Sequence, residues 1–125
     1  DEYNLKLLTS TDQGKSWSKL HRSYFDKMIR NPQMVRFDGI WLMHGRSGHV
    51  YPVEGCGNFV LYASDDGIHW DEGQYLRMQE AGHGAYSNNL VVHDPNGKNR
   101  LLIQATHAYF ENRTNIIMYW LDHKE

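Results

Sequence analysis

The stretch at residues 10–17 constrains the fold of this chain more than any other part of the sequence. It reads Ser-Thr-Asp-Gln-Gly-Lys-Ser-Trp and follows a largely apolar run at residues 5–8. An Asp carboxylate can accept hydrogen bonds from the backbone N–H groups of a turn, and Gly can adopt a positive φ. A Trp at the end of the stretch can fold back over the loop as an apolar plug. The pattern therefore predicts a hairpin turn that the Asp12 carboxylate fastens.

A second, shorter copy of this pattern lies at residues 64–70. It reads Ser-Asp-Asp-Gly-Ile-His-Trp, lacks one residue between Asp and Gly, and follows the strand-like residues 59–63. The two tryptophans, Trp17 and Trp70, are 53 residues apart. One Trp-bearing motif for each four-stranded unit is typical of radial β-repeats. The alternative interpretation is two unrelated Asp-Gly hairpin turns, which are common.

Both stretches resemble the Asp-box, or BNR repeat, of the sialidase-type β-propellers. The match is complete in the first copy, at Ser10, Asp12, Gly14, Ser16 and Trp17. The resemblance implies an all-β fold built of propeller blades, each a four-stranded antiparallel sheet. In that family the box lies on the outer rim of a blade, so by itself it indicates structure rather than a substrate site.

The strand patterns divide the chain into three units of a partial β-propeller. Residues 1–28 are predicted as the end of one blade, 29–78 as one complete blade, and 79–125 as a last blade lacking one strand. The predicted strands lie at 5–10, 17–20, 33–37, 40–44, 59–63, 70–76, 89–93, 100–106 and 115–121. The segment 21–28 is predicted as a short helical turn or a loop. Trp41 and Tyr62 alternate along their strands and are predicted core residues.

Length and composition set the limits of this interpretation. The chain has 125 residues, of which 40% are hydrophobic and 22% charged, as in an ordinary folded domain. It has no run of 18 apolar residues and a formal net charge of −2, so neither a membrane nor a nucleic acid is expected as a partner. A propeller needs at least four blades, roughly 200 residues. We therefore expect a C-terminal portion of a larger propeller, with the remaining blades supplied by residues outside this chain or by another chain.

Two stretches are candidates for the functional site. The resemblance places the site at the axial end of the inner strands, where residues 43–49 and 82–90 would lie. It implies Tyr86, in Ala-Tyr-Ser-Asn-Asn-Leu, as the nucleophile, and Arg46 as one of the arginines that clamp a substrate carboxylate. A guanidinium suits a planar carboxylate, and a neutral phenol approaches an anionic sugar with less repulsion than a carboxylate would. The place of the family's activating Glu, residues 30–33, holds no carboxylate.

Three histidines fall in the same two stretches and suggest proton-transfer chemistry near the axis. We assign His83 a catalytic role beside Tyr86, and His44 and His49 a substrate-binding role together with Arg46. The spacing of these histidines matches no metal-binding signature, so neither a metal nor another cofactor is expected. The alternative interpretation is that they are structural or surface histidines.

The sequence thus favours a sialidase-type glycoside hydrolase that acts on a carboxylate-bearing glycan in a secreted or periplasmic setting. Two other hypotheses stay open. One is a His/Tyr polysaccharide lyase or an atypical exo-glycosidase on the same fold. The other is a non-catalytic propeller that binds a glycan or a protein. The missing Glu favours these two over a standard sialidase, because a phenol without a base is a poor nucleophile.

Overall fold

The computed structural model describes residues 4–47, 59–76, 86–110 and 113–122. These residues form an all-β structure of antiparallel sheets without a helix, which confirms the predicted all-β class. No helix among them is long and apolar enough to cross a membrane. The strands are β1 (Asn4–Leu7), β2 (His21–Tyr24), β3 (Arg30–Phe37), β4 (Ile40–Arg46), β5 (Phe59–Ser64), β6 (Gln74–Tyr75), β7 (Ser87–His93), β8 (Asn99–Phe110) and β9 (Arg113–Asp122).

The strands pair in chain order and form three antiparallel sheets. We call β1–β2 the first sheet, β3–β4–β5–β6 the central sheet and β7–β8–β9 the third sheet. The central sheet turns from β3 to β4 through Asp38 and Gly39, which both have positive φ, 47° and 86°. This is the backbone that a tight two-residue hairpin requires and that Asp-Gly favours. The two residues between the predicted strands 33–37 and 40–44 therefore form a tight hairpin turn.

The central sheet buries both of its faces. Because side chains alternate along a strand, neighbouring residues of β5 enter different cores. Phe59 packs toward the third sheet, whereas Val60 packs toward the first sheet. The core on the third-sheet side consists of Phe37, Phe59, Leu101, Ile103 and Ala105. The core on the first-sheet side consists of Phe25, Ile29, Met43, Val60 and Tyr62.

The predicted strand at residues 17–20 is wrong, and part of the segment 21–28 is a strand instead. β1 pairs with β2, in the register Leu7 to His21. Between these two strands, the Ser18 N–H donates to the Thr9 carbonyl at 2.8 Å and closes the turn. The Ser18 hydroxyl accepts a hydrogen bond from the Thr9 N–H and donates one to the Lys19 carbonyl. Regular pairing with β1 therefore includes no residue between Ser18 and His21, where β2 begins.

The predicted strand at residues 70–76 is much shorter in the structure, where β6 has only Gln74 and Tyr75. The reason is the side chain of Asp71, whose Oδ1 accepts the N–H of Ala63 at 3.0 Å. The same oxygen accepts the N–H of Gly73 at 3.1 Å. A carboxylate therefore takes the place that a strand carbonyl would occupy beside β5.

Candidate functional site

The stretch at residues 10–17 is a turn held by the carboxylate of Asp12. Its Oδ1 accepts the Ser16 N–H at 2.9 Å and the Ser10 hydroxyl at 2.8 Å, and its Oδ2 accepts the Ser16 hydroxyl at 2.6 Å. Gly14 has a φ of 86° and donates its N–H to the Ser10 hydroxyl. The bonds from Ser16 are the main cause that lowers the pKa of Asp12 to about 2. The predicted role of this carboxylate is confirmed.

The second copy is built in the same way around Asp66. Its Oδ1 accepts the N–H groups of Ile68 and His69, both at 2.8 Å. The His69 ring nitrogen Nδ1 lies 2.7 Å from Oδ2, where the first copy has the Ser16 hydroxyl. These bonds, first of all that of the His69 side chain, hold the pKa of Asp66 well below its usual range. The shorter copy therefore holds its turn by the same kind of carboxylate hydrogen bonds as the complete copy.

The aromatic rings near the two turns pack differently. Trp70 packs against Phe25, with 6.4 Å between the ring centroids, and borders the core between the first and central sheets. Trp17 is 61% exposed, so it plugs its loop only in part. Tyr62 is fully buried, as predicted, whereas Trp41 is only half-buried, with its ring beside Gly67 of the second turn.

His44 is fully buried between the central and third sheets. Its Nδ1 lies 2.9 Å from the Ser87 hydroxyl, and its Nε2 lies 3.0 Å from the Asn89 amide nitrogen. An amide nitrogen only donates, so Nε2 accepts and Nδ1 carries the proton that Ser87 receives. Burial lowers the pKa of His44 to about 4, which keeps the ring neutral at pH 7. The predicted substrate ligand thus has both ring nitrogens engaged inside the protein.

The bond from His44 to Ser87 brings the two predicted stretches to the same end of two sheets. Ser87 begins β7 and directly follows Tyr86, whereas Arg46 ends β4 two residues after His44. Three of the five predicted site residues therefore lie at one end of the adjoining central and third sheets. His49 and His83 lie outside the described residues.

Tyr86 is 70% exposed and borders a shallow groove of about 240 Å³. Its backbone N–H donates to the Thr106 hydroxyl at 3.2 Å, and its carbonyl accepts the Thr106 N–H at 3.0 Å. Among the described residues, no carboxylate hydrogen-bonds to its phenol. The side chain is therefore accessible from solvent, and no carboxylate in this part of the chain accepts the proton of its hydroxyl.

Arg46 lies where the β3 and β4 backbones come unusually close. A Cβ on Gly45 would stand 2.6 Å from the Arg30 carbonyl oxygen, so only glycine fits there. Arg30 and Arg46 are directly opposite each other in the strand register. Within the described chain, the buried Nε of Arg46 and the buried hydroxyl of Ser47 have no hydrogen-bond partner. Sequence reasoning missed Ser47, because a Ser beside Gly reads as an ordinary loop residue.

A larger groove, of about 460 Å³, lies at the opposite end of the sheets and contains none of the predicted site residues. The hairpin turns line it, and its polar groups bind one another. Asp122 pairs with Arg100 at 2.6 Å, and the Asn99 amide donates to Asp38 at 3.3 Å. No group of three or more His, Cys, Asp or Glu side chains that could hold a metal ion occurs in the described parts of the chain.

Comparison of the chain with protein-family models, curated proteins and solved structures found no match.

Proposed function

We propose that this chain is part of a sialidase-like β-propeller that acts on a carboxylate-bearing glycan. The observation that carries the proposal is the likeness of the two Asp-box turns, in which one carboxylate accepts both backbone and side-chain bonds. Each turn also has the same place in its sheet. The first joins β1 to β2, and the second separates β5 from β6, the last two strands of the central sheet.

The stacking of the three sheets supports the same proposal. Each sheet lies within one of the three ranges of the sequence interpretation, 1–28, 29–78 and 79–125. Further sheets would complete the ring, from residues outside this chain or from another chain. The outer face of the third sheet, which we define by its exposed apolar side chains, suits such a partner. These side chains are Leu90, Ile116, Met118 and Trp120.

The proposed activity is glycoside hydrolysis of the sialidase type, in a secreted or periplasmic setting. The Tyr86 oxygen attacks the anomeric carbon and gives its proton to His83, while the bond from that carbon to the leaving oxygen breaks and His83 passes a proton to the leaving oxygen. Water then cleaves the glycosyl–tyrosine bond and restores the phenol. Arg46 binds the substrate carboxylate, and His83 is the candidate for moving the proton. The exposure of Tyr86 is consistent with its role.

Replacement of Tyr86 by Phe tests this activity. In the full-length protein, Tyr86→Phe is expected to lower the turnover of a sialoside by roughly a thousandfold or more, as for other removed nucleophiles. The matched control is Tyr24→Phe, because Tyr24 is 74% exposed and lies on β2, far along the chain from the candidate site. If Tyr86→Phe retains the turnover of the unchanged protein, Tyr86 is not the nucleophile.

A second candidate function is a non-catalytic propeller that binds the same kind of glycan. The observation that favours it is the Tyr86 phenol, which no carboxylate contacts in the described part of the chain. This candidate predicts that the full-length protein binds an acidic glycan, turns over neither a sialoside nor a uronate polymer, and binds equally well after Tyr86→Phe.

A further inference from the structure

The turn between β7 and β8 contains a pair of residues that can react with each other. Residues 94–97 read Asp-Pro-Asn-Gly, and Asn96-Gly97 is the only Asn-Gly pair in the sequence. The backbone nitrogen of a glycine can attack the side-chain carbonyl carbon of a preceding asparagine, because the glycine has no Cβ to crowd the attack. The two atoms belong to consecutive residues, so the covalent chain already holds them within reach of ring closure. Exposure and hydrogen bonding then decide whether the folded protein reacts.

The folded turn leaves the side chain of Asn96 free. Asn96 and Gly97 are both exposed. The backbone N–H of Asn96 donates to Oδ1 of Asp94 at 2.8 Å, whereas its side-chain amide has no hydrogen-bond partner among the described residues. Nothing lies within 4 Å of the position that a Cβ of Gly97 would occupy. The turn therefore has room for the ring to close and for water to reach it.

One backbone hydrogen bond restrains the attacking nitrogen. The Gly97 N–H donates to the Asp94 carbonyl at 2.9 Å. An exposed bond of this kind adds little net stability, because water can replace it, and exposed turns open locally at low cost. We therefore expect the turn to slow the attack without preventing it.

Two asparagines near this turn are held by their side chains. The amide nitrogen of Asn89 lies 3.0 Å from Nε2 of His44. The amide oxygen of Asn99 lies 2.8 Å from Nδ1 of His93, and its amide nitrogen donates to Asp38 at 3.3 Å. The residues that follow these asparagines are Leu and Arg, whose side chains crowd the backbone nitrogen. Neither has the free amide and the following glycine that Asn96 combines.

We propose that Asn96 is a site of spontaneous deamidation, at which the chain converts with time to an aspartate and an isoaspartate form. The Gly97 amide gives its proton to hydroxide, and its nitrogen forms a bond to Cγ of Asn96. The bond from Cγ to the side-chain nitrogen breaks, and that nitrogen takes a proton from water and leaves as ammonia, which restores the hydroxide. Water then opens the cyclic imide at either of its two carbonyls. Opening at Cγ leaves aspartate, and opening at the main-chain carbonyl leaves isoaspartate.

The two products differ in their effect on the turn. Both add one negative charge, but only isoaspartate lengthens the backbone, by the methylene of the side chain. His93 and Asn99 are the partners nearest this turn in the β7–β8 register, so the longer backbone must fit between them. We expect the isoaspartate form to lose the bond from Gly97 to Asp94 and to melt roughly 3 °C lower. The aspartate form keeps the backbone length and is expected to melt with the unmodified protein.

The experiment incubates the full chain at neutral and at mildly alkaline pH and follows each asparagine by proteolysis and mass spectrometry. Conversion is expected first at Asn96, and faster at the higher pH because the attacking nitrogen must lose its proton. Conversion in urea is expected to be faster still, because the bond from Gly97 to Asp94 is lost on unfolding. The matched control is Asn96→Gln, which keeps an amide but would have to form a less favourable six-membered ring. It is expected to lose the acidic species that ion-exchange chromatography separates from the unmodified protein.

Two results would overturn the inference. One is that Asn96 keeps its amide in the folded chain under conditions that convert it in urea, which would mean that the turn blocks the attack. The other is that Asn96→Gln forms the acidic species as fast as the unsubstituted protein, which would place the reaction elsewhere. An isoaspartate form that melts with the unmodified protein would refute the effect on the turn. All these outcomes are independent of the proposed glycan chemistry, because none involves Tyr86 or Arg46.

Discussion

His44 and Ser47 show how one buried polar residue can be satisfied while another is not. The ring of His44 uses both nitrogens to join the central sheet to the third sheet, and it packs 5.7 Å from the Phe59 ring. A fully bonded buried group of this kind favours a single arrangement of the two sheets. Ser47 is almost as deeply buried, but its hydroxyl has no partner in the described chain. The two hydrogen bonds of His44 therefore hold the central and third sheets together, whereas the Ser47 hydroxyl makes no such contact in the described chain.

The burial of His44 predicts a loss of stability in mild acid. Its pKa is about 4 in the folded protein and 6.5 in the unfolded chain. Between these values the unfolded chain binds more protons, so the free energy of unfolding decreases as the pH falls from about 6.5 to about 4. The stability is fully present above pH 6.5, and the loss is at most about 3 kcal/mol.

Urea unfolding between pH 4 and pH 7.5 measures this effect. His44→Gln is expected to flatten the pH dependence in this window, whereas His21→Gln, an exposed histidine of β2, should leave it unchanged. Asp12 affects stability only at lower pH. Its pKa is lowered from 3.8 to about 2 in the folded protein, so the stability that its ionised carboxylate provides is lost only as the pH falls below about 4. An unchanged slope in His44→Gln would mean that other groups cause the acid sensitivity.

At the scale of elements, the two turns fastened by Asp12 and Asp66 depend on local sequence, whereas the end of the central sheet does not. The bonds of Asp12 and Asp66 join residues at most four positions apart. The short β6 instead depends on Asp71 reaching back to Ala63, eight positions earlier. Beside it, Gly73 has a φ of 69° and lies against the ring of Tyr62.

Gly73→Ala is expected to destabilise the protein much more than Gly39→Ala. A Cβ at position 73 would stand 2.4 Å from Cε1 of Tyr62. That ring has little freedom to move, because it is fully buried and its hydroxyl donates to the Lys27 carbonyl at 2.6 Å. Gly39 has a similar φ, 86°, but nothing lies within 4 Å of its Cβ position.

The positive φ alone costs about 1 kcal/mol in Gly39→Ala. Overpacking against Tyr62 adds about 2–3 kcal/mol in Gly73→Ala. Chemical unfolding of the two variants measures the difference. Equal destabilisation would show that the Tyr62 ring moves aside without cost.

At the scale of the whole molecule, the three sheets form a stack in which the central sheet is covered on both faces. The strands of the third sheet also carry apolar side chains on both faces. On β9, Ile117, Tyr119 and Leu121 pack toward the central sheet, whereas Ile116 and Met118 are exposed. Strands that are apolar on successive positions are typically buried on both faces. The outer face of the third sheet therefore has the composition of an interface.

We expect the remaining sheets of the proposed ring to cover this outer face. The double variant Ile116→Lys, Met118→Lys tests whether this face is a free apolar surface. Its two side chains are 64% and 59% exposed in the structure. The free energy of unfolding of the chain is expected to change by less than about 0.5 kcal/mol, as for other exposed positions.

Binding of an apolar fluorescent dye and self-association in the ultracentrifuge are expected to decrease in the double variant, because the apolar patch is interrupted. A large loss of stability would mean that the face packs inside the chain. Unchanged dye binding and self-association would mean that the outer face of the third sheet causes neither of them.

The sequence by itself determined the all-β class, most of the strands and the carboxylate hydrogen bonds of the turns at Asp12 and Asp66. Alternation along a strand and hydrogen bonds within a few residues are properties of neighbouring positions, so a single sequence shows them. The tertiary structure decided which of the predicted site residues are buried and which are exposed. His44 is closed off by Ser87 and Asn89, 43 and 45 positions away, whereas Tyr86 stays exposed. The burial of Ser47 without a described partner is likewise visible only in the structure, because burial depends on how whole sheets pack and not on the residues beside it.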